Sequence, residues 1–169
     1  HMKKLTVFAV AIVMLFATAL SVYALPYEHK GLYSIDIGEE YTYSEENSSD
    51  DIPVFVNADY SANININYIA NDDKEAFANL TAEELESYRK QFKAIAQTEY
   101  AKIGEASAEI NVYDVKTVVL TNGYTALVTS IQTTTSTTTL YQRLFQIAGE
   151  NNIYTVGITS QNKKRIDEL

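Results

Sequence analysis

The sequence has no cysteine, no tryptophan, two prolines and two histidines among its 169 residues. Without cysteine the chain cannot form disulfides or a thiolate metal centre, so its stability has to come from packing. His1 stands in a His1-Met2 pair that has the form of a cloning remnant, which leaves only His29. One imidazole, in what should be a flexible terminus, supports neither a catalytic triad nor a histidine metal cluster. We predict no cofactor and no metal site.

Carboxylates and glycines offer no stronger catalytic signal. Adjacent acids occur at Glu39-Glu40, Asp72-Asp73 and Glu83-Glu84, and a pair of carboxylates could serve a glycosidase. Such pairs are ordinary in a chain with twenty-two acids, however. The six glycines are scattered singly, so the sequence lacks a glycine-rich phosphate loop. We therefore predict that the protein is not an enzyme.

Basic residues are missing from a long stretch of the chain. No lysine or arginine occurs between Lys30 and Lys74, whereas ten acids do. After Ala24, eleven basic residues remain against twenty-two acids, a net charge of −11, which argues against nucleic acid and anionic membranes as partners. The acids either form a solvated face that keeps the protein soluble, or they attract a cationic partner or form a weak calcium site, although their spacing does not resemble a calcium loop. The ten acids are Asp36, Glu39, Glu40, Glu45, Glu46, Asp50, Asp51, Asp59, Asp72 and Asp73.

The first 24 residues carry the features of a secretory signal peptide. Two lysines precede an apolar run from Leu5 to Leu20, and Ser21-Val22-Tyr23-Ala24 offers small residues to signal peptidase. We predict cleavage after Ala24 and a secreted or cell-surface protein, bacterial because an exported chain without cysteine fits that setting best. The alternative is an uncleaved membrane anchor, since Leu5 to Leu25 is about long enough to span a bilayer.

Cleavage would remove 24 of the 169 residues and leave residues 25–169, which are 145 residues long. That is the usual size of one domain with its own hydrophobic core. We predict a single domain over residues 25–169. Because the leader contributes only to export, the chain from Leu25 onward should be a soluble, folded monomer.

Three strands are predicted in the first half of the domain. Leu32 to Ile37 alternates apolar and polar residues with the two-residue period of a half-buried strand. The polar, acidic stretch from Glu39 to Asp51 is predicted to be a loop. Val54 to Val56 and Asn63 to Tyr68 are the next two strands, joined near Asp59-Tyr60-Ser61. The second of these alternates strictly, which predicts that its isoleucines and tyrosine face inward and its three asparagines face water.

A long helix is predicted in mid-chain, over about residues 82–103. Thr81-Ala82-Glu83-Glu84 has the pattern of a capping box, and Gly104 is expected to end the helix. The apolar residues between them recur at helical spacing, so the helix should lie on a sheet. An aromatic stripe of this kind is typical of a core, although it could also line a ligand groove. The stripe comprises Leu85, Tyr88, Phe92, Ile95 and Ile103, with Tyr100 beside it.

The rest of the chain predicts a four-stranded antiparallel meander. Asn122-Gly123 is the strongest two-residue hairpin signal, because both residues accept the positive φ that the turn demands. Glu150-Asn151-Asn152 predicts another turn, and Ser160 is expected to cap a short last helix. The predicted strands are Val112 to Leu120, Tyr124 to Thr134, Thr137 to Ala148 and Ile153 to Thr159.

The order of these elements resembles a known family. The chain combines the opening Gly31-Leu32-Tyr33-Ser34-Ile35-Asp36-Ile37, the capped helix, Asn122-Gly123-Tyr124-Thr125-Ala126 within the meander, and Tyr154-Thr155-Val156-Gly157-Ile158-Thr159 before a final helix. It is similar in this to the PsbP-like α/β/α sandwich domains of small bacterial exported proteins, of the photosystem II extrinsic subunit and of a Ran-binding import factor. The resemblance covers roughly Gly31 to Leu169 and rests on strand and turn patterns.

The resemblance implies an α+β fold with a mostly antiparallel sheet of about six to seven strands. A long helix would cover one face, and a C-terminal helix would follow the sheet. It further implies a scaffold for docking onto other proteins, with no shared catalytic residues. A cystatin-like domain is the alternative architecture, because it also places a four-stranded meander after a helix, but the three strands before the helix argue against it.

Two functions therefore stay open. The first is an extracytoplasmic, non-catalytic protein-docking module of unknown partner. The second is a small-ligand or carbohydrate-binding protein with a pocket between sheet and helix. The two differ in whether an apolar pocket with a few convergent polar groups lies beneath the helix.

Tyrosines suggest where a recognition surface would lie. The chain has thirteen, and a surface tyrosine supplies apolar area together with a hydroxyl for binding. Most fall at predicted core positions, but Tyr41, Tyr43 and Tyr60 lie in or beside the acidic loops. We expect a protein partner, basic if the acidic half docks it, to bind there. The predicted recognition surface consists of Tyr41, Tyr43, Glu45, Glu46, Asp50, Asp51 and Tyr60.

Overall fold

The computed structural model describes residues 27–169, so the predicted leader and its cleavage site lie outside the described residues. These residues form an α+β domain with two antiparallel sheets and two helices, which confirms the predicted fold class. The elements are β1 (Tyr27–His29), β2 (Tyr33–Ile35), β3 (Tyr41–Tyr43), β4 (Val54–Asn57), β5 (Ala62–Ala70), α1 (Ala82–Lys102), β6 (Glu109–Val119), β7 (Thr125–Thr134), β8 (Thr139–Ala148), β9 (Asn152–Ser160) and α2 (Lys163–Asp167).

The larger sheet has seven antiparallel strands in the order β3-β4-β5-β9-β8-β7-β6. β5 and β9 pair from Ala62 opposite Ser160 to Ala70 opposite Asn152, and so join the first strands to the C-terminal meander. β1 and β2 form a separate two-stranded hairpin. The sequence wrongly places Tyr41–Tyr43 in a loop, because these residues pair with β4 as the edge strand β3.

Helix α1 covers one face of the seven-stranded sheet. The Thr81 side chain accepts a hydrogen bond from the Glu84 amide at 3.2 Å, and the Glu84 carboxylate accepts one from the Thr81 amide at 2.8 Å, which confirms the capping box. Ile103, predicted to be in the buried stripe, is instead 55% exposed because the helix ends at Lys102 and Ile103 is its C-cap. The helix buries Tyr88, Phe92, Ala96 and Tyr100 against Ile110, Val112, Leu127, Ile131, Leu144 and Ile153.

The opposite face carries a second core, which hairpin β1–β2 covers. Its fully buried members come from β3, β4 and β5, and the hairpin and the residues after it supply partly buried side chains. Further along the chain, α2 packs against β8 and β9 and buries Ile166 completely. The second core consists of Tyr41, Phe55, Ala62, Ile64 and Ile66, with Tyr27, Tyr33, Ile35, Ile37, Val156 and Ile158 packed around them.

Two of the three asparagines of β5 are buried and do not face water as the sequence predicts. Asn63 and Asn65 are only 5% and 4% exposed. In the sheet register Asn65 lies opposite Gly157, which lies opposite Leu144 of the core beneath α1, so these asparagines occupy the face that carries α1. Ile64 and Ile66 face inward, as predicted, in the core that the hairpin covers, whereas Ile69 packs against the core on the α1 side. Because a layer covers each face of the sheet here, polar alternation along β5 does not mark a solvent-exposed face.

The connection between β6 and β7 is longer than the two-residue turn that Asn122-Gly123 predicts. Of these two residues only Gly123 has a positive φ, +86°. Its amide donates to the Leu120 carbonyl at 2.9 Å, and the Leu120 amide donates to the Tyr124 carbonyl at 2.8 Å. The glycine therefore serves the left-handed position of a wider hairpin loop.

The cap of α2 also differs from the prediction. Asn162, and not Ser160, is the N-cap, and its side-chain oxygen accepts a hydrogen bond from the Lys164 amide at 3.0 Å. The Ser160 hydroxyl accepts from the Asn162 amide at 3.0 Å and so positions the cap. Serine and asparagine are both good N-caps, so composition alone did not decide between them.

Candidate recognition groove

An open groove of about 420 Å³ lies between hairpin β1–β2 and the loop that joins β3 to β4. The hairpin contributes residues 27–30 to its lining. Strand β3 and the following loop contribute Tyr43, Glu45 and residues 48–50. We call this feature the Tyr27 groove. It brings an aromatic surface and several charged side chains together at one place.

A tight turn positions the hairpin side of the groove. Lys30 and Gly31 both have positive φ, 49° and 70°, and the Leu32 amide donates to the His29 carbonyl at 2.8 Å. Three residues, 30–32, join His29 to Tyr33 of β2, and the first two of them adopt the left-handed conformation. Glycine adopts this conformation freely, whereas lysine is strained in it. The turn places Tyr27 and His29 on the same side of β1.

Two nearly parallel tyrosine rings form the aromatic surface. The rings of Tyr27 and Tyr43 have centroids 5.9 Å apart and an interplanar angle of 13°. Both pack edge-on against Phe55, at 5.0 Å for Tyr27 and 5.7 Å for Tyr43. The Tyr27 hydroxyl hydrogen-bonds Nδ1 of His29 at 2.9 Å, which fixes its orientation. Burial, and secondarily the neighbouring Tyr43 phenol, raise the pKa of Tyr27, so its hydroxyl stays protonated.

His29 is buried and does not belong to a flexible terminus. It is 4% exposed, stacks on Tyr33 at a centroid distance of 5.1 Å, and meets Tyr68 edge-on at 6.1 Å. Within residues 27–169, its Nε2 atom has no hydrogen-bond partner. Burial is also the largest cause that raises the pKa of Tyr33. The imidazole therefore acts as one ring of an aromatic cluster that holds the hairpin on the sheet.

Serine hydroxyls organise the acidic loop on the other side of the groove. The Ser48 hydroxyl donates to the Ser44 carbonyl at 2.6 Å and accepts from the Val54 amide at 2.8 Å. The Ser44 amide donates to the Val54 carbonyl at 2.8 Å, and the Ile52 amide donates to the Ser49 side chain at 3.2 Å. These bonds supply partners for backbone groups that the loop removes from the ladder. The loop is thus ordered by its own side chains.

The charge of the groove is predominantly negative. Glu28, Glu45 and Asp50 line it, and none of the three forms an ion pair within residues 27–169. Lys30 also lines it, and its ammonium group lies 3.5 Å from the Asp51 carboxylate. Both partners of that pair are more than half exposed, so the pair contributes little to stability. Three carboxylates therefore face one ammonium group in the groove.

Part of the predicted recognition surface coincides with the groove. Tyr43, Glu45 and Asp50 line it, and Tyr43 is 46% exposed. Glu46 and Asp51 are exposed in the same loop but do not contribute to the lining. Asp51 contacts the hairpin through its ion pair with the lysine of the turn. Tyr43, Glu45, Asp50 and Asp51 thus lie where the loop meets the hairpin.

Two residues of the predicted surface lie elsewhere. Tyr41 is only 7% exposed and belongs to the second core, because it is on the inner side of edge strand β3. Tyr60 is half-buried in the turn between β4 and β5, with a φ of +58°. Since β3 and β4 are antiparallel, that turn lies at the opposite end of their ladder from the acidic loop. The surface therefore has to be redrawn without Tyr41 and Tyr60.

The hairpin half of the groove is not predicted by the sequence. His29 is expected in a flexible terminus because it follows the predicted cleavage site closely. A signal was present, however: apolar-polar alternation over three residues followed by a glycine-containing turn. Strands of three residues are short enough for such a pattern to arise by chance, so only the packing against the sheet distinguishes it.

The groove does not contain a nucleophile beside a base. The Ser48 and Ser49 hydroxyls bind backbone groups of their own loop, and among the described residues neither hydrogen-bonds His29. Across residues 27–169, no group of three His, Asp or Glu side chains is arranged to hold a metal ion. In the same residues, no helix is both long and apolar enough to cross a bilayer. What the arrangement offers is a binding surface of aromatic rings and carboxylates.

No protein-family model and no curated protein matches the sequence. The fold is similar to that of cyanobacterial PsbP (CyanoP) from Synechocystis sp. PCC 6803, whose solution structure matches with a TM-score of 0.56 at 10% sequence identity. The match covers 91% of this chain and 90% of that chain. At so low an identity the likeness concerns the fold, and it favours the first predicted architecture over the cystatin-like one. The chain therefore has a PsbP-like fold.

Proposed function

We propose that this protein is an extracytoplasmic, non-catalytic docking module that binds another protein through the surface around the Tyr27 groove. The extracytoplasmic location rests on the signal-peptide features of residues 1–24. The observation that carries the docking role is the exposed Tyr43 ring beside carboxylates that have no ion-pair partner. Tyrosine is enriched at protein interfaces, and uncompensated carboxylates steer basic partners toward a surface.

Site-specific cross-linking in cells of the source organism tests this function. A photoreactive amino acid at position 46 lies in the exposed acidic loop without replacing a groove residue. The matched control is position 93, because Lys93 is exposed on α1, which covers the opposite face of the sheet. We expect one defined cross-linked protein from position 46 and not from position 93. Equal products from both positions, or none from either, would contradict a docking role for this face.

Charge exchange then tests how the partner is attracted. Replacing Glu45, Glu46, Asp50 and Asp51 by Gln or Asn should slow association with the cross-linked protein and flatten its salt dependence. Thermal stability should stay nearly unchanged, since exposed charges contribute little to folding. An association rate at low salt equal to that of the unmodified protein would mean that the acidic face only keeps the protein soluble.

A second candidate is a carrier of a small polar ligand between sheet and helix, which a row of buried polar side chains on the sheet face that carries α1 favours. Asn63, Thr159 and Gln142 lie side by side across β5, β9 and β8, each 6% exposed or less. Gln142 donates to Thr159 at 2.9 Å, but the side-chain oxygen of Asn63 has no partner within residues 27–169. Native mass spectrometry of the protein purified from its source should then show a bound small molecule that Asn63→Leu abolishes. Identical spectra for the two proteins would rule this candidate out.

A further inference from the structure

We propose that the Tyr27 groove binds the guanidinium group of an arginine side chain presented by the partner protein. The proposal rests on the docking function and names the chemistry that the docking surface recognises. Three features carry it: an exposed aromatic ring packed against two others, carboxylates without ion-pair partners within residues 27–169, and a loop that is ordered by its own hydrogen bonds.

The aromatic surface suits a flat cation. Tyr43 is 46% exposed, and its ring is held by Tyr27 beside it and by Phe55, which is 4% exposed, at its edge. A cation over the face of such a ring is attracted by the ring quadrupole. Guanidinium is planar and weakly hydrated, so it stacks on an aromatic face more readily than an ammonium group does.

The carboxylates supply the second half of the recognition. Glu28 comes from the hairpin, whereas Glu45 and Asp50 come from the loop, so the acids border the groove from both segments. None has an ion-pair partner within residues 27–169. A guanidinium has five N–H donors in a fixed plane and can bind carboxylates at more than one edge while its face rests on a ring.

The loop side of the groove is formed before any ligand arrives. The Ser48 hydroxyl bridges the Ser44 carbonyl and the Val54 amide, at 2.6 and 2.8 Å. Because the loop is already ordered, binding does not have to offset the entropy cost of ordering it. The position of Glu45 and Asp50 is therefore a property of the fold.

Lys30 competes with an incoming arginine for the negative charge of the groove. Its ammonium group lines the groove and pairs with Asp51 at 3.5 Å, so it offsets part of the negative charge that an arginine would meet. Its φ of 49° is also unfavourable for lysine but tolerated by asparagine. Lys30→Asn should therefore keep the turn and raise the affinity for arginine.

An NMR titration of the full-length chain tests the proposal. The ligands are a blocked Gly-Arg-Gly peptide, the same peptide with citrulline, which is a neutral near-isostere, and the same peptide with lysine. The ring signals of Tyr27 and Tyr43 should shift with the arginine peptide. The citrulline and lysine peptides should bind about three- to thirtyfold more weakly, since they lack the charge or the planar fork. Equal binding of arginine and citrulline, or of arginine and lysine, would overturn the assignment.

Variants separate the groove from the overall charge of the protein. Glu45→Gln with Asp50→Asn should abolish the ring shifts, and Tyr43→Leu should weaken them, whereas Tyr43→Phe should retain them. The control, Glu39→Gln with Asp72→Asn, removes the same two charges from exposed positions outside the lining. Equal losses in the control and the groove variants would show that only net charge acts. Unchanged circular dichroism and melting temperature verify that each variant folds.

The two proposals fail in different ways. If the arginine peptide does not bind while position 46 still cross-links a protein, the guanidinium site is wrong and the docking function stands. If the peptide binds with the expected preference but no protein is cross-linked, the guanidinium site stands and the docking function is wrong.

Discussion

The hydroxyl of Tyr88 on α1 donates a hydrogen bond to the side-chain oxygen of Gln146 on β8, and both side chains are 1% exposed. The bond crosses the interface between the helix and the seven-stranded sheet. Buried polar groups are costly when they lack partners, so each residue here depends on the other. The bond thereby helps to fix the position of the helix on the sheet.

We expect Tyr88→Phe to lower the free energy of unfolding by about 1–3 kcal/mol, because it leaves the Gln146 oxygen buried without its donor. Gln146→Leu should be similarly unfavourable. The double variant should recover much of the loss, since apolar groups then meet each other. Urea unfolding of the four proteins gives the coupling energy directly. Strictly additive single losses would contradict a direct interaction.

The same tyrosine should make stability fall at alkaline pH. Burial raises the pKa of Tyr88 to about 12, from an ordinary value of 10.0. Since the folded-state pKa is the higher one, the protonated phenol contributes stability that is fully present below about pH 10 and is lost as the pH rises toward about 12. Over this window we expect a decline of about 2–3 kcal/mol from Tyr88. Unfolding curves of the natural protein and of Tyr88→Phe should converge as pH rises; parallel curves would refute the assignment.

Phe92 provides a test of the core beneath α1. It is 2% exposed and packs in the cluster between helix and sheet. Phe92→Ala should lower the free energy of unfolding by about 3–5 kcal/mol, the usual effect of truncating a buried aromatic. Ile103→Ala, at a site that is 55% exposed, is the control and should change it by less than about 0.5 kcal/mol. A loss below about 1 kcal/mol for Phe92→Ala would place that ring at a surface.

Ser48→Ala should loosen the acidic loop. The substitution removes the acceptor of the Val54 amide and the donor to the Ser44 carbonyl, so we expect a loss of about 1–2 kcal/mol in the free energy of unfolding. Backbone relaxation measurements should show greater mobility at residues 45–51. Ser107→Ala is the control, because Ser107 is exposed on the connection between α1 and β6. Unchanged loop dynamics would mean that the hydroxyl does not order the loop.

The protein should fold without its first 24 residues. A chain beginning at Leu25 retains every element described above, from β1 to α2. We expect a soluble monomer by size-exclusion chromatography with light scattering, with the circular dichroism of the full-length protein. Insolubility of this chain beside a soluble full-length protein would show that the leader takes part in the fold.

The elements that the sequence predicted correctly are those with strong local signals. The capping box at Thr81 defines the start of α1 through bonds within four residues, and Gly104, with a φ of +88°, follows its end. The strands of the meander are nine to eleven residues long, so their alternation is hard to mistake. Local sequence signals are enough to predict helix α1 and the four strands of the meander. The bounds of these elements in the structure differ from the predicted ones by only a few residues.

The features that the sequence did not predict depend on tertiary contacts. Asn63 and Asn65 are polar yet buried, because the sheet has a layer on each face. Strand β3 is only three residues long, and Tyr41 is identified as an inner residue only by its pairing with Asn57. The two sides of the groove differ in how far the sequence reveals them. The acidic loop is visible in composition, whereas the opposite side depends on how His29 packs.

Hairpin β1–β2 shares no backbone ladder with the other strands of residues 27–169 and is held on them by side-chain contacts, by the Lys30–Asp51 ion pair and by the Tyr154 hydroxyl, which donates to the Leu32 carbonyl at 3.3 Å. We therefore expect it to open while the seven-stranded sheet stays intact, as a unit of partial unfolding whose amide hydrogens exchange early. The groove exists only while this unit is closed. A ligand that contacts both the hairpin and the acidic loop consequently stabilises the closed hairpin. Its binding should slow the hydrogen exchange of the hairpin amides.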